Sequence, residues 1–191
     1  MAASSRREED RVKQQAPRSL TICIDGNEQN DLQFPESLVL NWKGQSALIE
    51  VKKRKFRFDT GDYYLEGYKE VCIAERKGSL SELHTNLFTA DETRFRKAVR
   101  RLVGACAVPI LWLDIPHAGL WTPTDYVDDP AEVVDKLLRT VREFGLTFFW
   151  VPPATTEKHA KRNGELLIRT MWSVIQSQPP TIGDPLDTND P

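Results

Sequence analysis

Apolar positions along this chain alternate between short runs and helical stripes, and their order sets the expected architecture. Leu20-Thr-Ile-Cys-Ile-Asp25 is an apolar run that stops at Asp25-Gly26-Asn27, the pattern of a buried strand ending in a turn. Leu38 to Trp42 and Ala47 to Val51, separated by Lys43-Gly44-Gln45, read as strands at the margin of a sheet, as does Phe56-Arg-Phe58 beyond a basic stretch. Tyr63 to Glu66 and Val71 to Glu75 flank Gly67 as a hairpin, with Gly61-Asp62 at its entrance and Arg76-Lys77 at its exit. The two ends of a hairpin lie side by side, so these four residues are expected to be neighbours.

Helical spacing takes over after the hairpin. Ser79-x-x-Glu82 and Thr89-x-x-Glu92 both have the capping-box pattern, which predicts helices over about 80–88 and 91–106. The second carries an apolar stripe of Phe95, Ala98, Val99, Leu102, Val103 and Cys106. Pro109 to Asp114 is a second buried strand. Asp129-Pro130 then caps and opens a helix with Val133, Val134, Leu137, Leu138 and Val141 inward, and Gly145 ends it. A third apolar strand from Leu146 to Val151 and a helix over about 156–176 complete a β-α-β-α series. That series predicts an α/β fold with a mixed, partly parallel central sheet flanked by helices.

Composition fits one such unit: 191 residues, 40% of them hydrophobic, with five Trp and eight Phe, can build a single core. The polar stretch 1–17 and the Pro- and Asp-rich stretch 177–191 bury too little to order themselves, so they are expected to be disordered tails around a domain at 18–176. No internal repeat or low-complexity linker divides it. Cys23, Cys72 and Cys106 are an odd number without metal-ligand spacing, each in an apolar stretch, which points to a reducing compartment. With no apolar run long enough for a membrane span or a secretion signal, a soluble intracellular protein is expected.

Glu75 and Lys77 are two apart on a strand and leave the same face, and the hairpin brings Asp62 to them. Two carboxylates beside an ammonium suit Mg²⁺ or Mn²⁺, hard cations that prefer oxygen ligands. Phosphodiester hydrolysis would use such a cation to activate water and polarise phosphorus, with Lys77 orienting that water. Asp62, Glu75, Lys77 and Asp25 are therefore the catalytic candidates, with Asp62, Glu75 and Asp25 as metal ligands and Glu28, Arg76 and Glu82 as auxiliary groups. Exposed strands also carry such residues simply as a solvated face.

Gly61-Asp62-Tyr63, then Glu75-Arg76-Lys77 and Ser79-Leu-Ser-Glu-Leu83, preceded by Ile22-Cys-Ile-Asp25, resembles the nuclease domain of the XPF-type structure-specific endonucleases, a branch of the PD-(D/E)xK superfamily. The resemblance spans about residues 20–115, and its specific part is the pair of GDY and ERK motifs. It implies a restriction-endonuclease-like fold, metal binding by Asp62 and Glu75, and a catalytic Lys77. The family's first strand usually ends V-D-x-R-E, whereas this chain has Ile24-Asp25-Gly26-Asn27-Glu28, with Asn27 where Arg is expected. The acid that follows ERK in the family also falls one residue later here, at Glu82 in place of Ser81. A one-residue insertion accounts for this, and so does a Glu82 that only closes the Ser79 capping box.

Overall charge is −2, from 26 basic and 28 acidic residues, so nucleic-acid affinity depends on how charge is distributed. Lys52, Lys53, Arg54 and Lys55 with Arg57 form one basic cluster. Arg94, Arg96, Lys97, Arg100 and Arg101 on the second helix form another. Each reads either as a DNA-facing surface or as a solvated one, and Lys52 to Lys55 also admits a weak nuclear-localisation reading. His84, His117 and His159 have neither ligand spacing nor a partnered nucleophile, and Trp112, Phe149 and Trp150 read as core. The absence of a glycine-rich nucleotide loop argues against a fused helicase motor.

The expectation is a Mg²⁺- or Mn²⁺-dependent endonuclease, with branched or flap-bearing DNA, repair and recombination implied by the resemblance. Family members commonly dimerise and add helix-hairpin-helix modules. No such signature follows residue 115, so a compact stand-alone member is expected, as a homodimer or with a partner subunit. The alternatives are a non-catalytic DNA-binding or scaffold subunit, and a PD-(D/E)xK nuclease of different specificity.

Overall fold

The first apolar run becomes an inner strand of the sheet, paired on both sides. In the computed structural model, which describes residues 16–28, 31–42 and 44–177, seven strands form one sheet. They are β1 (Ser19–Asp25), β2 (Ser37–Trp42), β3 (Gln45–Phe56), β4 (Tyr63–Leu65), β5 (Cys72–Lys77), β6 (Val108–Asp114) and β7 (Thr147–Val151), in the order β2-β3-β1-β4-β5-β6-β7. β1 is parallel to β3, and β5, β6 and β7 are parallel to one another. β2 is antiparallel to β3, and β4 is antiparallel to both β1 and β5. Five strands therefore share one direction. Their last residues, Asp25, Phe56, Lys77, Asp114 and Val151, meet at one edge of the sheet together with the start of β4. The fold is α/β, a mixed, partly parallel central sheet flanked by helices, as expected.

Two cores lie on opposite faces, because each strand alternates its side chains. One buries Ile22, Ile24, Ile49, Leu65, Ile110 and Trp112 under helix α4 (Glu157–Ser177), which contributes Leu167, Ile168, Met171 and Trp172. Gly164 lets α4 come this close, since a Cβ there would meet the Gln33 carbonyl oxygen at 2.0 Å. The other face is covered by α1 (Leu80–Phe88), α2 (Glu92–Ala105) and α3 (Pro130–Phe144), with Leu83, Leu87, Phe95, Val99, Leu102, Val133 and Leu137 inward. Burying each large apolar side chain contributes roughly 1.5–3 kcal/mol. Asp129 caps α3 through Ala131 and Glu132, with Pro130 in its first turn, and Gly145 ends it at φ +64°.

Several local expectations are corrected. Residues 45–56 form one continuous strand, so the basic run at Lys52 to Lys55 is strand and not connection, and β3 lies inside the margin set by β2. Thr89 does not cap α2: Asp91 holds that position without a side-chain bond, while the Thr89 hydroxyl donates back to Thr85 O at the end of α1. Val103 and Leu138 are exposed, and Thr140 is buried instead, its hydroxyl bonded to Lys136 O. Trp150 sits at the margin of the core, its indole N–H bonded to Ile115 O. All three cysteines are free and buried. His84 stacks on Phe88 and His117 on Trp150, while His159 bonds Thr155. The expected tails lie, apart from residues 16, 17 and 177, outside the described residues. Among the described residues no helix is long and apolar enough to cross a membrane.

Candidate active site

The strand ends are tied together by main-chain bonds before any side chain is considered. Asp62 donates its N–H to Ala74 O at 2.8 Å and accepts at its own carbonyl from Asp25 N at 2.9 Å, so β1, β4 and β5 meet at this residue. Gly61 makes the approach possible. It sits at φ +72°, and a Cβ there would lie 2.2 Å from the Ile73 Cγ2 methyl. The Gly-Asp pair at the hairpin entrance thus has a steric reason in its first residue and a chemical one in its second.

Asp25, Asp62 and Glu75 line one cavity of about 580 Å³, together with Asn27, Arg57, Asp59 and Arg101. Asp62 Oδ2 accepts from Arg76 N at 2.6 Å. Burial, and then the neighbouring charge of Glu75, push the Asp62 carboxyl up to about 8. Asp25 is buried, with Oδ1 accepting from Phe58 N and Oδ2 from the Asn27 amide, each at 3.2 Å. Lys77 does not line the cavity. Its ammonium is buried between Glu75 Oε1 and Glu82 Oε1, each at 2.9 Å. Burial opposes that charge, but the two carboxylates outweigh it and hold the Lys77 pKa above the ordinary lysine value.

Glu82 does two things at once. Its N–H donates to Ser79 Oγ, completing one half of the expected cap, while its carboxylate accepts from Lys77 and from Gly78 N. The helix start thereby delivers an acid to the lysine, and the two readings of Glu82 do not exclude each other.

Glu28 and Arg76 fall on the opposite face of the sheet. Arg76 bonds Asp114 Oδ2 through Nε and Nη2, at 3.3 and 2.9 Å, and Glu28 Oε1 through Nη1 at 3.2 Å. Burial acts against the guanidinium charge, yet the hydrogen bonds and charge of Asp114 raise its pKa. The sequence reading missed Asp114. Its signal was a second apolar strand ending in Asp, the pattern already noticed at Asp25.

The basic clusters are broken up by ion pairs. Lys52 pairs with Glu50, Arg54 with Glu66, Lys55 with Asp31, Arg94 with Asp91 and Arg96 with Glu143. Arg100 lies over the Phe144 ring. Lys53 and Lys97 are exposed, and Arg57 and Arg101 reach the cavity.

The cavity offers four carboxylates against two guanidiniums and neither thiolate nor imidazole. Glu75 and Asp59 are already paired with Lys77 and Lys69, which leaves Asp25 and Asp62 as the carboxylates without an ion pair, hard oxygen donors of the kind a divalent cation such as Mg²⁺ prefers. Among the described residues no group of three or more His, Cys, Asp or Glu side chains forms a ready-made cage. Asp62 and Glu75 would hold the ion, with water and substrate oxygens completing it, as Mg²⁺ commonly requires.

Among solved structures, the chain is similar to XPF from Aeropyrum pernix, with a TM-score of 0.54 at 15% identity over 85% of this chain and 65% of that one. A structure of XPF from Aeropyrum pernix in complex with DNA aligns with a TM-score of 0.52 at 14% identity, over 86% of this chain and 69% of that one. This chain therefore spans about two thirds of the length of the structures it matches. The fold expected from the GDY and ERK motifs is the fold observed. No family model and no curated protein sequence matches.

Proposed function

We propose that this chain is a metal-dependent DNA endonuclease that hydrolyses phosphodiester bonds at the edge where β1, β4 and β5 meet. The observation that carries the reading is the shared cavity of Asp25, Asp62 and Glu75, with Lys77 bonded to Glu75. Mg²⁺ or Mn²⁺ bound there would supply Lewis-acid chemistry, lowering the pKa of a coordinated water and polarising phosphorus. Asp62 and Glu75 are its ligands and Asp25 a third carboxylate beside them. Lys77 orients the attacking water and offsets charge developing on the phosphoryl oxygens, while Glu82 fixes the ammonium from its other side. DNA is the substrate, and XPF from Aeropyrum pernix has itself been solved with DNA. Branched or flap-bearing DNA, met in repair or recombination, is the class that the motifs favour. The homodimer, or a pairing with a partner subunit, belongs to the same reading.

One observation favours a second reading, a non-catalytic DNA-binding or scaffold subunit: Lys77 is held by two carboxylates, so its charge is already neutralised. Incubation of the full chain with labelled flap, fork, four-way and linear DNA, with and without Mg²⁺ or Mn²⁺, separates the two. Metal-dependent cleavage of the branched substrates is expected. Binding without cleavage under every condition would replace the enzyme with the scaffold, and equal cleavage of linear DNA would point to a nuclease of other specificity.

A further inference from the structure

Five cations of the two basic clusters pair with carboxylates on the protein's own surface, and of the other five, Arg57 and Arg101 line the cavity. Arg57, just beyond β3, and Arg101, in the last turns of α2, make no ion pair or hydrogen bond among the described residues. Both are exposed, they come from different elements, and both line the cavity that holds Asp25, Asp62 and Glu75. Asp59, the acid on which the Arg101 charge acts, is bonded to Lys69 at 3.1 Å. Two unpaired guanidiniums flanking a carboxylate site have one obvious chemical complement. It is an anion that brings its own oxygens to the metal.

The turn after β1 shows why these arginines matter in this chain. Asn27 gives its amide to Asp25 Oδ2 and has no charge to offer a phosphate. The same turn is bolted to the segment that carries Arg57. Gly26 N donates to Phe56 O at 3.0 Å, Asp25 Oδ1 accepts from Phe58 N, and a Cβ on Gly26 would lie 3.2 Å from Arg57 N. Arg57 is therefore held next to the position where Asn27 stands in place of an expected arginine. Arg101 reaches the cavity from the helix.

We infer that Arg57 and Arg101 form a two-guanidinium clamp on the DNA backbone at this cavity, Arg57 supplying the charge that Asn27 lacks. The inference rests on the nuclease reading. Guanidinium groups bind phosphate through paired hydrogen bonds with fixed geometry, so a clamp of two from different elements grips the backbone independently of sequence. The cavity, at about 580 Å³, has room for a phosphodiester beside a hydrated ion. The remaining basic residues of both clusters do not line this cavity, and half of the clusters' ten cations are paired with carboxylates, so they contribute much less.

The test is equilibrium binding of a labelled DNA fork, across a salt series and with Ca²⁺ as the divalent ion, to the full chain and its variants. Arg57→Ala and Arg101→Ala should each weaken binding about tenfold and lower the slope of log affinity against log salt by about one phosphate contact. Arg96→Ala, which only releases Glu143, should change affinity less than about twofold. Asn27→Arg placed in the Arg57→Ala chain should recover most of the lost affinity. Both arginines are exposed, so melting temperatures of the variants should match the parent. If the parent binds the fork and the Arg57→Ala, Arg101→Ala double variant binds it with the same affinity and slope, the clamp is wrong and the nuclease reading survives. If the parent binds no DNA under any of these conditions, both fall together.

Discussion

The two faces of β5 carry the same kinds of side chain and treat charge in opposite ways. On the side of α4, Arg76 is enclosed by Asp114 and Glu28, and a guanidinium satisfied by two carboxylates leaves no charge to spare. On the side of α2, Asp25, Asp62 and Glu75 share a cavity, and burial, with the charge of Glu75 beside it, pushes the Asp62 carboxyl up to about 8. Three consecutive residues, Glu75, Arg76 and Lys77, therefore divide between a closed ionic network and an open one. The lesson is that a motif's consecutive letters need not act together: strand geometry sends its middle residue to the other face.

The sharpest way to break this contrast is at Lys77. Lys77→Ala should lower cleavage by about three orders of magnitude, comparable to losing a preorganised charge in the transition state, or roughly 4 kcal/mol, while DNA affinity stays close to the parent's. Single-turnover cleavage read beside equilibrium binding checks this. Lys77→Met keeps an unbranched apolar stem but removes the ammonium that lies 5.7 Å from the centre of the Phe95 ring, and should be equally inactive, which separates loss of charge from loss of packing.

On the closed face, Arg76→Ala should leave the buried Asp114 without the guanidinium that now bonds it and cost about 3 kcal/mol, lowering the melting temperature by roughly 10 °C. Thermal denaturation of the metal-free chain measures it. A stable Arg76→Ala chain that has lost cleavage would move Arg76 from the scaffold into the chemistry and erase the distinction between the faces.

Asp62 offers the opposite combination. Its folded pKa of about 8 stands above the ordinary carboxyl value of 3.8, so the metal-free chain keeps this group's full contribution to stability below that ordinary value and loses it as pH rises through about 8. Asp62→Asn stays neutral and can still accept from Arg76 N. At about pH 9 without metal it should melt higher than the parent, and at about pH 4 the two should coincide. Equal melting at both pH values would mean that the carboxylate is already compensated.

The helices and most strands were legible because they are long or apolar enough to show themselves, and Asp62 with Glu75 because a hairpin forces its ends together. Arg57, Arg101 and Asp114 were harder to place. What brings them to the site is the parallel pairing of β3 with β1 for Arg57, the passage of α2 over the sheet for Arg101 and the parallel pairing of β6 with β5 for Asp114, contacts that no local spacing encodes. The fate of Lys52 to Lys55 was hidden for the same reason, since Glu66 and Asp31 reach them only in the fold. Glu82 needed the structure because capping and ion pairing use different atoms of one residue. Ser79→Ala gives the smallest effect expected: loss of the cap to Glu82 N should cost about 1 kcal/mol and roughly 3 °C, with cleavage within about threefold of the parent because Glu82 keeps Gly78 N and Lys77. A collapse of activity in that variant would show that the cap, and not the ion pair, positions the acid.

The central claim is that the open face is a divalent-metal site, and calorimetric titration of Mn²⁺ into the parent chain and into Asp62→Asn, Glu75→Gln and Arg76→Ala tests it directly. The account predicts saturable binding in the parent and in whatever folded fraction of Arg76→Ala remains, and at least tenfold weaker binding in each carboxylate variant. Mn²⁺ bound as tightly by Asp62→Asn and Glu75→Gln as by the parent would contradict it.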